Sequence, residues 1–457
     1  MSERAPDAVL PPVPARGLAL LRRLVDVRED EWKAMLWAFA YFFALLCGYY
    51  ILRPVRDEMG IAGGVKQLPW LFTGTFAGML IAVPLFSALV ARFPRRRFIP
   101  YTYRFFAVNI LVFYALLEMG QGTAWVARGF FIWVSVFNLF VISVFWSFMA
   151  DLFRNEQGKR LFGFIAAGGT TGALTGPVLT AGLVGALGPA NLLLVSALFL
   201  EAAVLCVGRL NRWSAAQTER QEMESSAERA APESAATAPD AAGSSDAVIG
   251  GDIWAGFTRV VRSRYLSGIA AFILLFTTMS TFLYLEQAQI VADHSNDPAR
   301  RTAIFATIDL LVNVLTILLQ TLLTGRILRR VGIGAGLALV PAISVVGFLV
   351  LAAAPGLLVL AIFQGVRRSV DYAITRPARE ILFTVLPRED KYKGKNFIDT
   401  VVYRGGDAAS GWLYSGLAAV GLGLGGIALV AVPLAALWGA TGYWLGRRQD
   451  ALQQAQA

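Results

Sequence analysis

Histidine, cysteine and charge are all scarce in this chain, and each scarcity closes off a class of function. The 457 residues contain one histidine, His294, and two cysteines, Cys47 and Cys206. The cysteines lie far apart within apolar segments, so they build neither a disulfide framework nor a metal-ligand spacing. His294 sits in a loop beside Asp293 and Asp297, where a solvated surface role is expected. No HExxH, phosphate loop, nucleophile elbow, CxxC cluster or pair of glycosidase carboxylates occurs. The sequence thus offers no catalytic residue, metal or cofactor, and a non-enzyme is predicted. Charged residues make up 16% of the chain against 56% hydrophobic, with a mean hydropathy of +0.58, which excludes a soluble enzyme of one or two domains. The excess of 41 Lys+Arg over 31 Asp+Glu, formally +10, follows the loops between apolar runs and argues against a nucleic-acid partner. No short apolar run ending at a small-residue cleavage site precedes the first long one, so no removable signal peptide is expected.

What the chain does have is long apolar runs. They recur twelve times, each of about 18 to 25 residues, enough to cross a ~30 Å hydrocarbon core at ~1.5 Å per residue. The spans read as 33–52, 68–90, 98–118, 125–150, 161–184 and 189–208, then 266–290, 302–325, 333–353, 356–378, 396–419 and 424–446. This is an all-α membrane protein of twelve transmembrane helices in two six-helix bundles, 33–208 and 266–446. Around them lie an N-tail (1–32), a linker region (209–265) and a C-tail (447–457). Ser214 to Gly251 carries seven acids, Ser and Pro but little apolar surface, which predicts a disordered linker. Asp252 to Arg264 then reads as an amphipathic helix lying on the membrane surface.

Basic residues cluster in alternate loops. Only Arg53, Arg56, Lys66, Arg128, Arg300 and Arg301 fall on the second set of loops, so both termini are expected in the cytoplasm. The halves also echo each other. Arg92, Arg95 and Arg96 match Arg326, Arg329 and Arg330 at an offset of 234, and Arg160, Phe162 and Gly176 match Lys395, Phe397 and Gly411 at 235. A parallel duplication of six spans points to the major facilitator type, with a cavity between the bundles.

Charges inside the spans are the functional candidates, because an exposed arginine at the bilayer centre costs at least ~2.5 kcal/mol. Arg367 and Arg368 fall about eleven residues into span ten, with Asp371 one turn from Arg367 and Gln364 one turn the other way. Span eleven answers with Asp399, Arg404 and Asp407. In span one, Arg53, Arg56 and Asp57 share a face, with Pro54 predicting a kink. Span eight presents Asp309, Asn313, Thr316 and Gln320 on one helical face. The substrate-binding set predicted is Arg53, Arg56, Arg367, Arg368 and Arg404, whose planar guanidinium forks suit phosphate. Asp57, Asp309, Asp371, Asp399, Asp407, Lys393 and Lys395 form the predicted gating or coupling set. The small-residue segment AAGGTTGALTG in span five is expected to serve close helix packing.

Four segments, ILRPVRD, FWSFMADLFRNEQGKRLFGF, DYAITRPARE and KGKNFIDTVVYRGG, resemble the ATP/ADP translocase family of plastids and intracellular bacteria, of which this chain looks like a divergent bacterial member. The resemblance is strongest at Lys393, Lys395, Asp399, Arg404 and Gly406. It implies a twelve-span major-facilitator-like fold in a bacterial inner membrane, and exchange of an anionic substrate such as ATP and ADP. The lipid bilayer is the other partner expected, and a monomer is favoured. Two other functions fit the residues: a proton-coupled carrier in which Asp309, Asp371 or Asp407 is protonated in each cycle, and a non-transporting scaffold or lipid-handling protein.

Overall fold

The computed structural model describes residues 27–28, 31–92, 95–120, 123–230, 253–322 and 324–455. All regular structure among them is helical: α1 (Trp32–Ala62), α2 (Leu68–Arg92), α3 (Arg95–Glu118), α4 (Thr123–Leu152), α5 (Asn155–Ala230), α6 (Ile253–Arg262) and α7 (Arg264–His294). They are followed by α8 (Pro298–Leu322), α9 (Thr324–Ala353), α10 (Leu357–Val370), α11 (Arg376–Leu382), α12 (Arg388–Phe397), α13 (Tyr403–Ala419) and α14 (Leu424–Gln454). Two π-helical turns, Asp371–Thr375 and Ile398–Val402, join α10 to α11 and α12 to α13.

Nine helices among the described residues are long and apolar enough to cross a membrane. One of them, α5, crosses twice. Gly188 takes φ 78°, ψ 163° just before Pro189, a backbone that glycine adopts at little cost. The contacts show the reversal. A Cβ on Gly168, Gly172 and Gly176 would meet Phe39, Phe43 and Cys47 of α1 in ascending order, whereas Ser196 and Phe199 meet Gly48 and Phe43 in descending order. The two π-interrupted runs supply the remaining crossings of the expected twelve.

Each half has its own core. Phe42 stacks on Phe145 at 4.0 Å between ring centres, and the Tyr41 and Tyr103 hydroxyls lie 2.5 Å apart. In the second half Trp438 packs on Phe272 and Phe276. Because lipid is as apolar as these side chains, close packing rather than solvent exclusion holds the helices together. The expected packing role of AAGGTTGALTG follows: a Cβ on Gly172 would stand 2.5 Å from the Phe43 carbonyl oxygen.

At its N-terminus α1 is tied to α5 outside the membrane. The buried Glu31 carboxylate accepts from Gln157 Nε2 at 2.9 Å and from Arg160 at 3.0 Å, and from the Arg28 backbone at 3.2 Å. Burial alone would push this carboxyl up, but the hydrogen bonds outweigh it and hold the group below its ordinary range.

One sequence expectation needs adjusting. The helix α5 continues to Ala230, well into the segment read as disordered from Ser214. Its Ala, Gln, Glu, Arg and Met are strong helix formers, and the run extends an already nucleated helix. The rest of the linker, up to Asp252, lies outside the described residues. The amphipathic helix is present as α6. The side chains of Arg95, Arg96, Arg326, Arg329 and Arg330, on which the duplicated basic loops rest, are likewise outside those described.

Candidate functional site

Between the two halves lies a cavity of about 1010 Å³. Its wall includes Arg53 and Arg56 of α1, Asn313, Thr316 and Gln320 of α8, Arg376 and Arg379 of α11, and Arg404 of α13, with Asp399 the one carboxylate among the described residues. Aromatic rings of Tyr49, Tyr50, Phe140, Tyr372 and Tyr403 complete it. The lining runs from Arg53 and Arg56, in the second half of α1, to Gln320 and Arg379 near the end of the bundle that carries Trp32 and Gln454, here the terminal face.

The opposite face is closed by contacts between the halves. Arg301 donates through Nε and Nη2 to the two oxygens of Glu58, both at 2.6 Å, and Glu58 is 0% exposed. Beside it, Asp57 accepts from Arg56 at 2.6 Å and from the Tyr284 hydroxyl at 3.0 Å. Trp412 of α13 meets Trp70 of α2 edge to face at 4.8 Å and donates to Thr73 at 3.0 Å.

The predicted arginines are placed unequally. Arg53, Arg56 and Arg404 line the cavity. Arg368 stands behind it, donating to Asp309 at 2.8 Å, while the same carboxylate lies 3.4 Å from Arg53. Arg367 is 4% exposed and donates to Ser280 at 2.5 Å, over the Phe276 ring. The expected pairing of Arg367 with Asp371, one turn away, does not form. Asp371 instead accepts from Arg376 Nε at 3.1 Å. Up to Asp371 the α-helical register is intact, its amide bonded to the Arg367 carbonyl, and what turns the carboxylate to Arg376 is the π turn that begins there. Its wider winding brings residue i+5, not i+4, above residue i. The second π turn does the same for Asp399 and Arg404, which are five apart and both on the wall.

Of the remaining predicted set, Asp407 lies 3.5 Å from Arg404 and accepts from Thr281, and Asp399 lies 4.0 Å from Arg379. Lys395 bonds Glu380 away from the wall, and Lys393 lies on α12 outside the cavity lining. Of the span-eight face, Asn313, Thr316 and Gln320 reach the wall, and Asn313 also donates across the halves to the Ala173 carbonyl at 2.7 Å.

Among the lining residues not found by reading the sequence are Arg376, Arg379 and Asn138. Arg376 falls at the very end of the span read as 356–378 and Arg379 just past it, beside the basic loop; the DYAITRPARE segment is the signal available. Asn138 of α4 has no signal at all. Its Oδ1 is buried on the cavity wall without a hydrogen-bond partner, and such acceptors are rare unless something else satisfies them. A cluster of fixed guanidinium groups, aromatic faces and an unsatisfied amide can hold an anion with an unsaturated ring or sugar; among the described residues no group of His, Cys, Asp and Glu could hold a metal ion.

Comparison with known proteins places this geometry. A stretch of 26% identity over 218 residues relates the chain to ADP,ATP carrier protein 2 of Chlamydia pneumoniae, covering 42% of this chain and 40% of that protein. The match thus spans less than half of the relative's length. Three solved structures share the fold at low identity. A bacterial homologue of the iron transporter ferroportin, in an inward-facing state, superposes with a TM-score of 0.62 at 12% identity, covering 91% of this chain and 98% of that one. The nucleoside transporter NupG gives 0.59 at 11%, with 93% and 99% covered. A bacterial homologue of the human lysosomal transporter Spinster gives 0.58 at 12%, with 93% and 99% covered. The family model for the Major Facilitator Superfamily matches residues 38–369, most of both helical halves. With its all-helical, two-bundle architecture around a central cavity, the chain belongs to the major facilitator superfamily and is a membrane transporter rather than an enzyme.

Proposed function

We propose that the chain is an alternating-access carrier of an organic anion, with a nucleotide or other phosphorylated metabolite as its substrate class. The observation that carries this reading is the cavity wall, where among the described residues five arginines stand against one carboxylate amid aromatic rings on which a base or sugar can stack. Guanidinium forks match phosphate oxygens in pairs, and in a wall of low dielectric their field is felt strongly. The partial relationship to an ADP,ATP carrier and the fold shared with a nucleoside transporter support the same reading. In the orientation that the basic loops favour, the terminal face is cytoplasmic and the chain lies in a bacterial inner membrane. The cavity then belongs to the inward-open state, and the Glu58–Arg301 end is the closed outer gate.

The test is counterflow in proteoliposomes. Vesicles loaded with unlabelled ADP should take up labelled ADP transiently above equilibrium, and vesicles loaded with a sugar phosphate give the parallel assay. Absence of counterflow with either class refutes an anion exchanger, and leaves proton-coupled transport of another solute as the surviving reading.

A second reading, proton-coupled transport, is favoured by one residue. Asp309, Asp371 and Asp407 are each held by arginine. Glu286 of α7, by contrast, is 0% exposed and neither carboxylate oxygen has a hydrogen-bond partner. Uptake that collapses with a protonophore and needs no internal nucleotide selects this reading over exchange.

A further inference from the structure

The ion pairs around the cavity do not balance, and the imbalance can be located. Arg56 is matched by Asp57, Arg376 by Asp371 and Arg404 by Asp407. Arg379 stands 4.0 Å from Asp399. Asp309, however, serves two guanidinium groups at once, Arg368 at 2.8 Å and Arg53 at 3.4 Å, which leaves one cation in excess. Arg367 is the second. It has no carboxylate within ion-pair distance among the described residues; a serine hydroxyl and an aromatic ring are its partners, and its Nε is buried without any. Glu380, the remaining acid nearby, is shared with Lys395 at the rim. Seven arginines therefore face five carboxylates across the site. An uncompensated charge inside a membrane protein is costly, so a bound anion of matching charge completes the site and one of larger charge overfills it.

We infer that the cavity selects by charge number, taking a dianion of the phosphomonoester type in preference to a neutral nucleoside and to the more highly charged di- and triphosphates. A phosphomonoester carries about −1.5 to −2 near pH 7. Asp371 and Asp407 set that number. Each lies directly behind one arginine of the wall, and neither takes part in closing the opposite face, whereas Asp57 bonds Tyr284 there and Asp309 holds two cations together. Removing the charge of Asp371 or Asp407 while keeping its shape raises the excess by one and favours a ligand with one more negative charge. This inference rests on the anion-carrier reading and refines it.

The experiment measures affinity of purified full-length protein at fixed ionic strength, without divalent cations, for two series of probes: adenosine, AMP, ADP and ATP; and glucose, glucose 6-phosphate and fructose 1,6-bisphosphate. The expected result is tightest binding at the monoester of at least one series. In D371N the ADP-to-AMP or bisphosphate-to-monophosphate affinity ratio should rise by about tenfold, the scale of one charge removed at ~10 Å in a medium of effective dielectric ~20. D407N provides the same reading should D371N misfold. Binding that tightens steadily to ATP or the bisphosphate overturns the charge-number inference while leaving the anion carrier standing. An unchanged ratio in a folded variant also overturns it. Absence of binding in both series overturns the inference together with the reading beneath it.

Discussion

Removing one partner of the Glu58–Arg301 bridge is expected to open the face it closes. The pair is bidentate, with both bonds at 2.6 Å, and joins α1 to α8 across the two halves. The side-chain exposures are 12% for Arg301 and 0% for Glu58, so R301Q leaves a carboxylate fully buried without its cation. Breaking a buried pair from one side costs about 3–5 kcal/mol. That cost falls on the closed state alone if the halves separate on opening, because an exposed Glu58 is rehydrated. At ~1.4 kcal/mol per tenfold, the closed-to-open ratio should fall by roughly two to three and a half orders of magnitude. E58Q should act in the same direction but more weakly, since the stranded Arg301 retains some access to water. The double variant E58Q/R301Q, which leaves two neutral groups facing each other, should recover most of the closure. The readout is the distance between spin labels on exposed Ala62 and Asn296, with Cys47 and Cys206 replaced. A long-distance population should appear in R301Q and recede in the double variant. If the distance distribution of R301Q matches wild type, the bridge is not what holds this face shut.

Three further outcomes follow from local geometry. E31Q should lower stability by about 1–3 kcal/mol through loss of the Gln157 and Arg160 bonds. Because the folded carboxyl is held below its unfolded value of ~4.3, the wild-type advantage is full above that value and disappears as pH falls through the lower folded one. A difference from E31Q that stays constant on acidification contradicts the assignment, by denaturation at stepped pH. G172A should destabilise by about 1–3 kcal/mol, since its Cβ would stand 2.5 Å from the Phe43 oxygen, whereas G182A, with nothing within 4 Å, should be neutral or stabilising; thermal unfolding in detergent compares them. N138L should leave folding intact, as no protein donor is lost at Oδ1, yet weaken binding of the preferred phosphate ester about tenfold, and unchanged affinity removes Asn138 from the site.

The parts of this molecule that are legible from its sequence are those governed by one-dimensional rules. Run length at ~1.5 Å per residue against a fixed bilayer thickness gives the crossings, and the Gly188–Pro189 break divides two that form a single continuous segment. The polar face of Asp309, Asn313, Thr316 and Gln320 obeys the ordinary helical period because α8 is regular throughout, and three of its four members reach the cavity as that period requires. Spans ten and eleven fail the same rule for a stated reason. Each contains a π turn, whose extra residue shifts everything after it by about 100° around the helix axis. An i, i+4 reading places Asp371 over Arg367, which the helix keeps, but beyond the turn the carboxylate finds Arg376 at i+5, and Arg376 and Arg379, at the end of the span read as 356–378, arrive on the wall. Such turns occur frequently at functional sites, and here both fall beside the cavity. The extra residue disturbs the backbone ladder, and its effect here is to bring Arg376, Arg379 and Arg404 to one concave surface from two different helices. Periodicity therefore misleads most at the residues that build the positive wall, and the same local distortion accounts for both the Asp371–Arg376 pair and that wall.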